Sequence, residues 1–160
     1  AYAENDPLPE MSTMSEIDLG GVSCLGLLPK GCSGDHVILW AHGGGFVMGS
    51  SRSHKGLAAH VAAAAKIAAI VPDYRLAPEH RHPAAYDDCL AATRAIAVAC
   101  NTPLILVGDS AGGALAASVS HATRHSLPLL GQVLIYPGLG GDRNFRFHGG
   151  QRNRPRPAEV

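Results

Sequence analysis

The chain has 160 residues, 46% hydrophobic and 16% charged, enough to bury a core in one domain of ordinary size and unlike a disordered segment. Thirteen basic residues balance thirteen acidic ones, and aromatics make up only 5%, which argues against nucleic acid or an anionic membrane surface as partner. The four cysteines form no CxxC pair, so no metal site is expected. No charged-then-apolar leader and no run of membrane-spanning length is legible. The chain is therefore expected to be cytoplasmic with reduced thiols, with the reservation that it does not begin with Met.

Residues 1–21 are polar and Pro-containing, and read as loop with at most one short strand. Residues 22–28 (VSCLGLL) read as a strand and PKGCSGD as a turn. The run HVILWA (36–41) is compact and apolar, as a buried parallel strand would be. A glycine-rich loop follows, then an alanine-rich helix over 53–66 with Ser53 as expected N-cap. Residues 67–74 return to strand. A second helix runs to about Cys100, with Pro83 near its first turn and Asp87 and Asp88 suited to the dipole there. PLILVG (103–108) is a strand, 110–125 a helix, and GQVLIYP (131–137) a last strand. Strands alternating with helices predict an α/β fold with a mostly parallel sheet and flanking helices.

Two segments carry chemistry. Gly108-Asp109-Ser110-Ala111-Gly112 fits G-x-S-x-G between a strand and a helix. There the serine sits at the apex of a sharp turn, small neighbours let backbone approach, and the helix N-terminus lies beneath any developing negative charge. The N–H of Ala111 is positioned to donate to that charge. The second segment, AHGGGF (41–46), follows an earlier strand. Its consecutive glycines offer unobstructed N–H groups, and Phe46-Val47-Met48 does not supply the G-K-[ST] of a phosphate cradle.

HGGGF, DYRLAPEH (73–80) and GDSAGG together resemble the hormone-sensitive-lipase-like esterases of the α/β-hydrolase superfamily, with likeness over about 37–142. The resemblance implies Ser110 as nucleophile and Gly44, Gly45 and Ala111 as oxyanion-hole donors, supported by His42, Gly43, Gly108, Asp109 and Gly112. It implies hydrolysis of small carboxylic esters without metal or organic cofactor. The remaining polar residues read as structural. His42 braces the glycine loop. Asp73, Arg75 and Glu79 form one loop-bracing cluster. His80 and His82 sit in a loop, and His121 and His125 lie on a helix surface.

The family's triad runs in chain order serine, acid, histidine. After Ser110 the chain offers only Asp142, Glu159, His121, His125 and His148, none in the family's acid or histidine motif. The expected unit is a partial α/β-hydrolase domain over 1–142, truncated after about the sixth strand. An irregular tail over 143–160 holds five of the thirteen basic residues, all arginine. The tail is open to one further reading. Shifted forward by one nucleotide, 146–157 permits Ser, Thr, Glu, Ala, Asn, Ala, Thr, Ala, Pro, Gly and Leu in order, similar to the family's next segment. A frame slip near Phe145–Arg146, with an early stop after Val160, is then expected, and the nucleotide sequence tests it. The whole reading is a serine carboxylesterase by descent, impaired for want of acid and histidine. Its last strand is an apolar open edge available for self-association. The alternative is a small-molecule-binding protein on the same fold without turnover.

Overall fold

The computed structural model describes residues 7–140. Nine elements follow one another: β1 (Met11–Leu19), β2 (Val22–Pro29), β3 (Val37–Ala41), α1 (Ser51–Ala65), β4 (Ala68–Pro72), α2 (Ala84–Cys100), β5 (Leu104–Asp109), α3 (Ala111–Thr123) and β6 (Leu129–Ile135). They build one sheet in the order β1-β2-β4-β3-β5-β6. β1 and β2 pair antiparallel, as do β2 and β4, and from β4 onward the sheet is parallel.

Period-two alternation in the central strands decides which helix lies on which face. Val37, Leu39 and Ala41 of β3, with Leu104 and Leu106 of β5, turn toward α2 and α3, where Cys89, Ala92, Ile96, Leu115 and Val119 complete one core. Ile38 and Trp40, with Val107, turn the other way onto Ala58, Ala59 and Ala62 of α1. Strands covered on both faces read as unbroken apolar runs, which is why HVILWA and PLILVG stand out in the sequence. Each large aliphatic side chain so buried contributes roughly 1.5–3 kcal/mol.

Four expectations are corrected. β1 is a nine-residue strand where loop with at most one short strand was expected. It pairs on one side only, with β2, and most of its side chains face solvent, so polar residues hide its period. The cap of α1 is Ser50: its side chain accepts from the Ser53 N–H, and Ser53 returns a bond to the Ser50 N–H. Ser53 is therefore the reciprocal partner in a capping box, three residues inside the helix. Asp73, Arg75 and Glu79 do not form one cluster. Asp73 accepts from the N–H and hydroxyl of Ser51 at 2.6 and 2.7 Å. Arg75 grips Asp88, with Nη2 2.7 Å from Oδ1, and also donates its backbone N–H to Oδ2 at 2.8 Å. Glu79 is exposed. Asp88 thus holds the loop between β4 and α2; of the two acids expected to open this helix, only Asp87 lies in its first turn. Burial pushes the Asp88 carboxyl up, but the bonds from Arg75 outweigh this and hold it below the ordinary range.

The expected tail, with Asp142, His148 and Glu159, lies outside the described residues. Among those described, no helix is long and apolar enough to cross a membrane.

Candidate functional site

β3 and β5 are parallel neighbours, with Ala41 opposite Gly108. Their C-terminal ends therefore carry the two sequence motifs side by side, at the end of an open α/β sheet where ligands usually bind. Ser110 links β5 to α3 with φ 52° and ψ −118°, a backbone region that costs a residue with a Cβ on the order of 1–3 kcal/mol. Three bonds hold it there. Its N–H donates to Ile135 O at 2.9 Å, and its carbonyl accepts from the N–H groups of Ala114 and Gly138 at 3.2 and 3.3 Å. The flanking glycines are required by space. A Cβ at Gly112 would sit on the carbonyl oxygens of Ala41 and His42, and one at Gly108 on the backbone of Gly112. Ser110 is only half-buried. Among the described residues no side chain hydrogen-bonds its hydroxyl.

The glycine loop is anchored at both ends. The Gly43 N–H donates to Asp109 Oδ1 at 3.1 Å, so that amide is engaged, and among the described residues the next ones without an acceptor are those of Gly44 and Gly45. Gly44 has φ 131°, and its carbonyl accepts from Val47 and Met48 at 3.2 and 3.1 Å, closing a tight turn. Phe46 O accepts from Ala77 N at 2.8 Å, tying HGGGF to the DYRLAPEH loop. Ala111 is the first residue of α3, where a backbone N–H has no acceptor within the helix.

His42 is fully buried. Its Nδ1 lies 2.8 Å from Gly43 O, so Nδ1 carries the proton and donates. Its ring stacks on Tyr74 at 4.1 Å between centroids, and the Tyr74 hydroxyl donates to His42 O at 2.6 Å. Burial pushes the imidazole pKa down, against the raising pull of Gly43 O. These bonds tie His42 to the glycine loop and to Tyr74. Asp109 is buried as well and accepts from Trp40 Nε1 at 3.1 Å. Burial pushes its carboxyl up, but the contacts from His54 and Trp40, and the Gly43 N–H, prevail and hold it below the ordinary range.

Among the described residues, the other histidines do not hydrogen-bond the Ser110 hydroxyl. His121 and His125 are exposed at the far end of α3 and just beyond it. His80 and His82 are exposed too and line a cavity of about 300 Å³ with Gly45, Phe46, Tyr86 and Leu115. This cavity abuts the glycine loop and is walled largely by apolar groups. Sequence reasoning missed His54 and Trp40, which no motif marks. The one available signal was Asp109, since a carboxylate beside a buried turn must find donors.

Comparison with known proteins agrees with this geometry. Residues 38–156 match the alpha/beta hydrolase fold family. The chain is 42% identical over 117 residues to Esterase LipI of Mycobacterium tuberculosis, covering 68% of this chain and 37% of that protein. It is 43% identical over 110 residues to an ethyl acetate hydrolase of Pseudomonas putida, covering 62% and 34%. Among solved structures, a hormone-sensitive lipase from a metagenome library superposes with a TM-score of 0.77 at 38% identity, over 84% of this chain and 46% of that one. The hormone-sensitive-lipase homolog EstE7, also metagenomic, gives 0.76 at 40%, over 84% and 47%. The chain thus spans less than half the length of each of these relatives.

Proposed function

Because the chain belongs to the hormone-sensitive-lipase-like esterases of the α/β-hydrolase fold family, we propose that it is part of an enzyme that hydrolyses small carboxylic esters through an acyl group on Ser110. The Ser110 oxygen attacks the ester carbonyl and its proton passes to a general base. The carbonyl oxygen becomes an oxyanion held by the amides of Gly44, Gly45 and Ala111. Collapse expels the alcohol, which takes up that proton. Water, deprotonated in turn, releases the acid and restores the serine. The cavity beside Gly45 lies next to this centre and suits an apolar portion of the ester. The observation that carries the reading is the positive-φ turn at Ser110, set beside a glycine loop whose Gly43 amide is already engaged and whose next two are not.

Among the described residues, no histidine bonds to the Ser110 hydroxyl. Removal of the histidine of such a triad costs on the order of 10⁶ in turnover in the best-studied protease. An oxyanion hole and binding alone retain roughly 10³-fold over water. A fluorophosphonate probe and p-nitrophenyl ester turnover test the reading. Slow labelling confined to Ser110, with turnover far below ordinary esterase rates, is expected of the chain by itself. Ordinary turnover would show that a base is present after all. The bare serine and the adjoining cavity also favour a second reading, a small-molecule-binding protein. No labelling, with saturable binding of a small apolar ligand, would select it.

A further inference from the structure

The buried polar groups beneath the glycine loop form a chain that the reaction above does not use. His54 of α1 is 2% exposed. Its Nε2 lies 3.4 Å from Asp109 Oδ2, and its Nδ1 lies 2.9 Å from the Ser53 hydroxyl. The other oxygen of Asp109 accepts from Trp40 Nε1 and from the Gly43 N–H, both at 3.1 Å. We propose that His54 is a positioning residue: it fixes the Asp109 carboxylate, which fixes the Gly43 peptide and so sets the direction of the Gly44 and Gly45 amides.

The physical case rests on directions and alternatives. An ionised carboxylate only accepts hydrogen bonds, so the His54 nitrogen facing it carries a hydrogen. Indole and backbone amide both reach Oδ1, which leaves His54 as the group facing Oδ2. Without it, a buried oxygen of a charged group would lack compensation, and the carboxylate could rotate to seek another donor. Rotation would break the Gly43 bond, because a Cβ-free Gly43 packs directly against that carboxylate. The opposite end of the same peptide, the His42 carbonyl, accepts from the Tyr74 hydroxyl, and the Gly43 carbonyl of the next peptide accepts from His42 Nδ1. The His42–Gly43 peptide is thus clamped at its N–H, through Asp109 and α1, and at its C=O, through the Tyr74 hydroxyl. α1 is itself fixed by the Ser50–Ser53 box and by Asp73 on Ser51, so His54 projects from a rigid base.

Calling these amides oxyanion donors rests on the ester-hydrolysis reading; the anchoring of Gly43 does not. The test therefore uses two kinds of readout on the full chain. Amide hydrogen exchange at Gly43 and the indole N–H resonance of Trp40, the sole tryptophan, report the anchor. The fluorophosphonate labelling rate of Ser110 reports the amides. His54→Gln keeps a donor at similar reach, His54→Leu removes it, and Ala64→Gly at an exposed position of α1 supplies general destabilisation without touching the anchor. Expected are Gly43 exchange about tenfold faster in His54→Leu than in Ala64→Gly, a shifted Trp40 indole resonance, a fall of about tenfold in labelling, and recovery of all three in His54→Gln. If His54→Leu does not fold, His54→Asn, whose donor is too short to reach, takes its place. Unchanged Gly43 exchange and Trp40 resonance in the donor-free variant overturn the proposal. The anchor signals moving while Ser110 never labels, even in the parent chain, would leave the anchor standing and defeat the ester reading.

Discussion

Replacing Ser110 by Gly should stabilise the fold while destroying its chemistry. At φ 52° and ψ −118° a Cβ sits in a backbone region worth about 1–3 kcal/mol of strain. Glycine relieves that strain but loses about 0.5–1 kcal/mol to the freedom it gains when unfolded. Ser110→Ala keeps the strain and removes the hydroxyl, so it is the proper reference. The glycine variant should then exceed the alanine variant by about 1 kcal/mol, equivalent to about 3 °C in Tm at this chain length. Urea unfolding followed by Trp40 fluorescence measures the difference as a midpoint shift at constant slope. Neither variant should label with fluorophosphonate. A glycine variant no more stable than the alanine variant would refute the claim that Ser110 is held against its own preference.

Gly112→Ala places a methyl on the carbonyls of Ala41 and His42. A loss of about 2 kcal/mol or more in urea unfolding is expected, together with loss of Ser110 labelling. Burial pushes the Cys24 thiol up to about 12 and raises Cys89 further. In a thiol titration both should therefore react only on unfolding, while exposed Cys100 reacts in the native chain. Acid stability should fall in two stages. The lowered pKa of His42 means that the unfolded chain takes its proton first, so stability declines as pH drops below about 6.5. The lowered pKa of Asp109 gives stability that is full above about pH 4 and lost as pH falls through its folded value. Unfolding midpoints of Asp109→Asn should be lower at neutral pH and should converge on the parent only in strong acid.

The central strands, the two glycine motifs and the serine between β5 and α3 were legible because each is local. Apolar runs bounded by glycine, and small residues around one serine, carry their meaning within a few positions. What escaped was set by partners distant in sequence. β1 hides its period because it lies at the sheet edge. Asp88 answers Arg75 from the next helix, and as the fifth residue of α2 it lies past the first turn where the sequence set it, so its role was not legible there. His54 stands in an alanine-rich helix where no motif marks it. Only the packing of α1 against Trp40, under the loop that Asp109 anchors, gives that histidine a reason to be there.

The join between α3 and the end of β3 is backbone against backbone, with no side chain as spacer. Anyone transplanting this centre into another scaffold would fail by moving the pentapeptide alone. It would arrive with its bend but without the neighbouring strand end whose carbonyls define how closely the helix settles. The smallest portable unit is the pair of adjacent strands with both their outgoing loops.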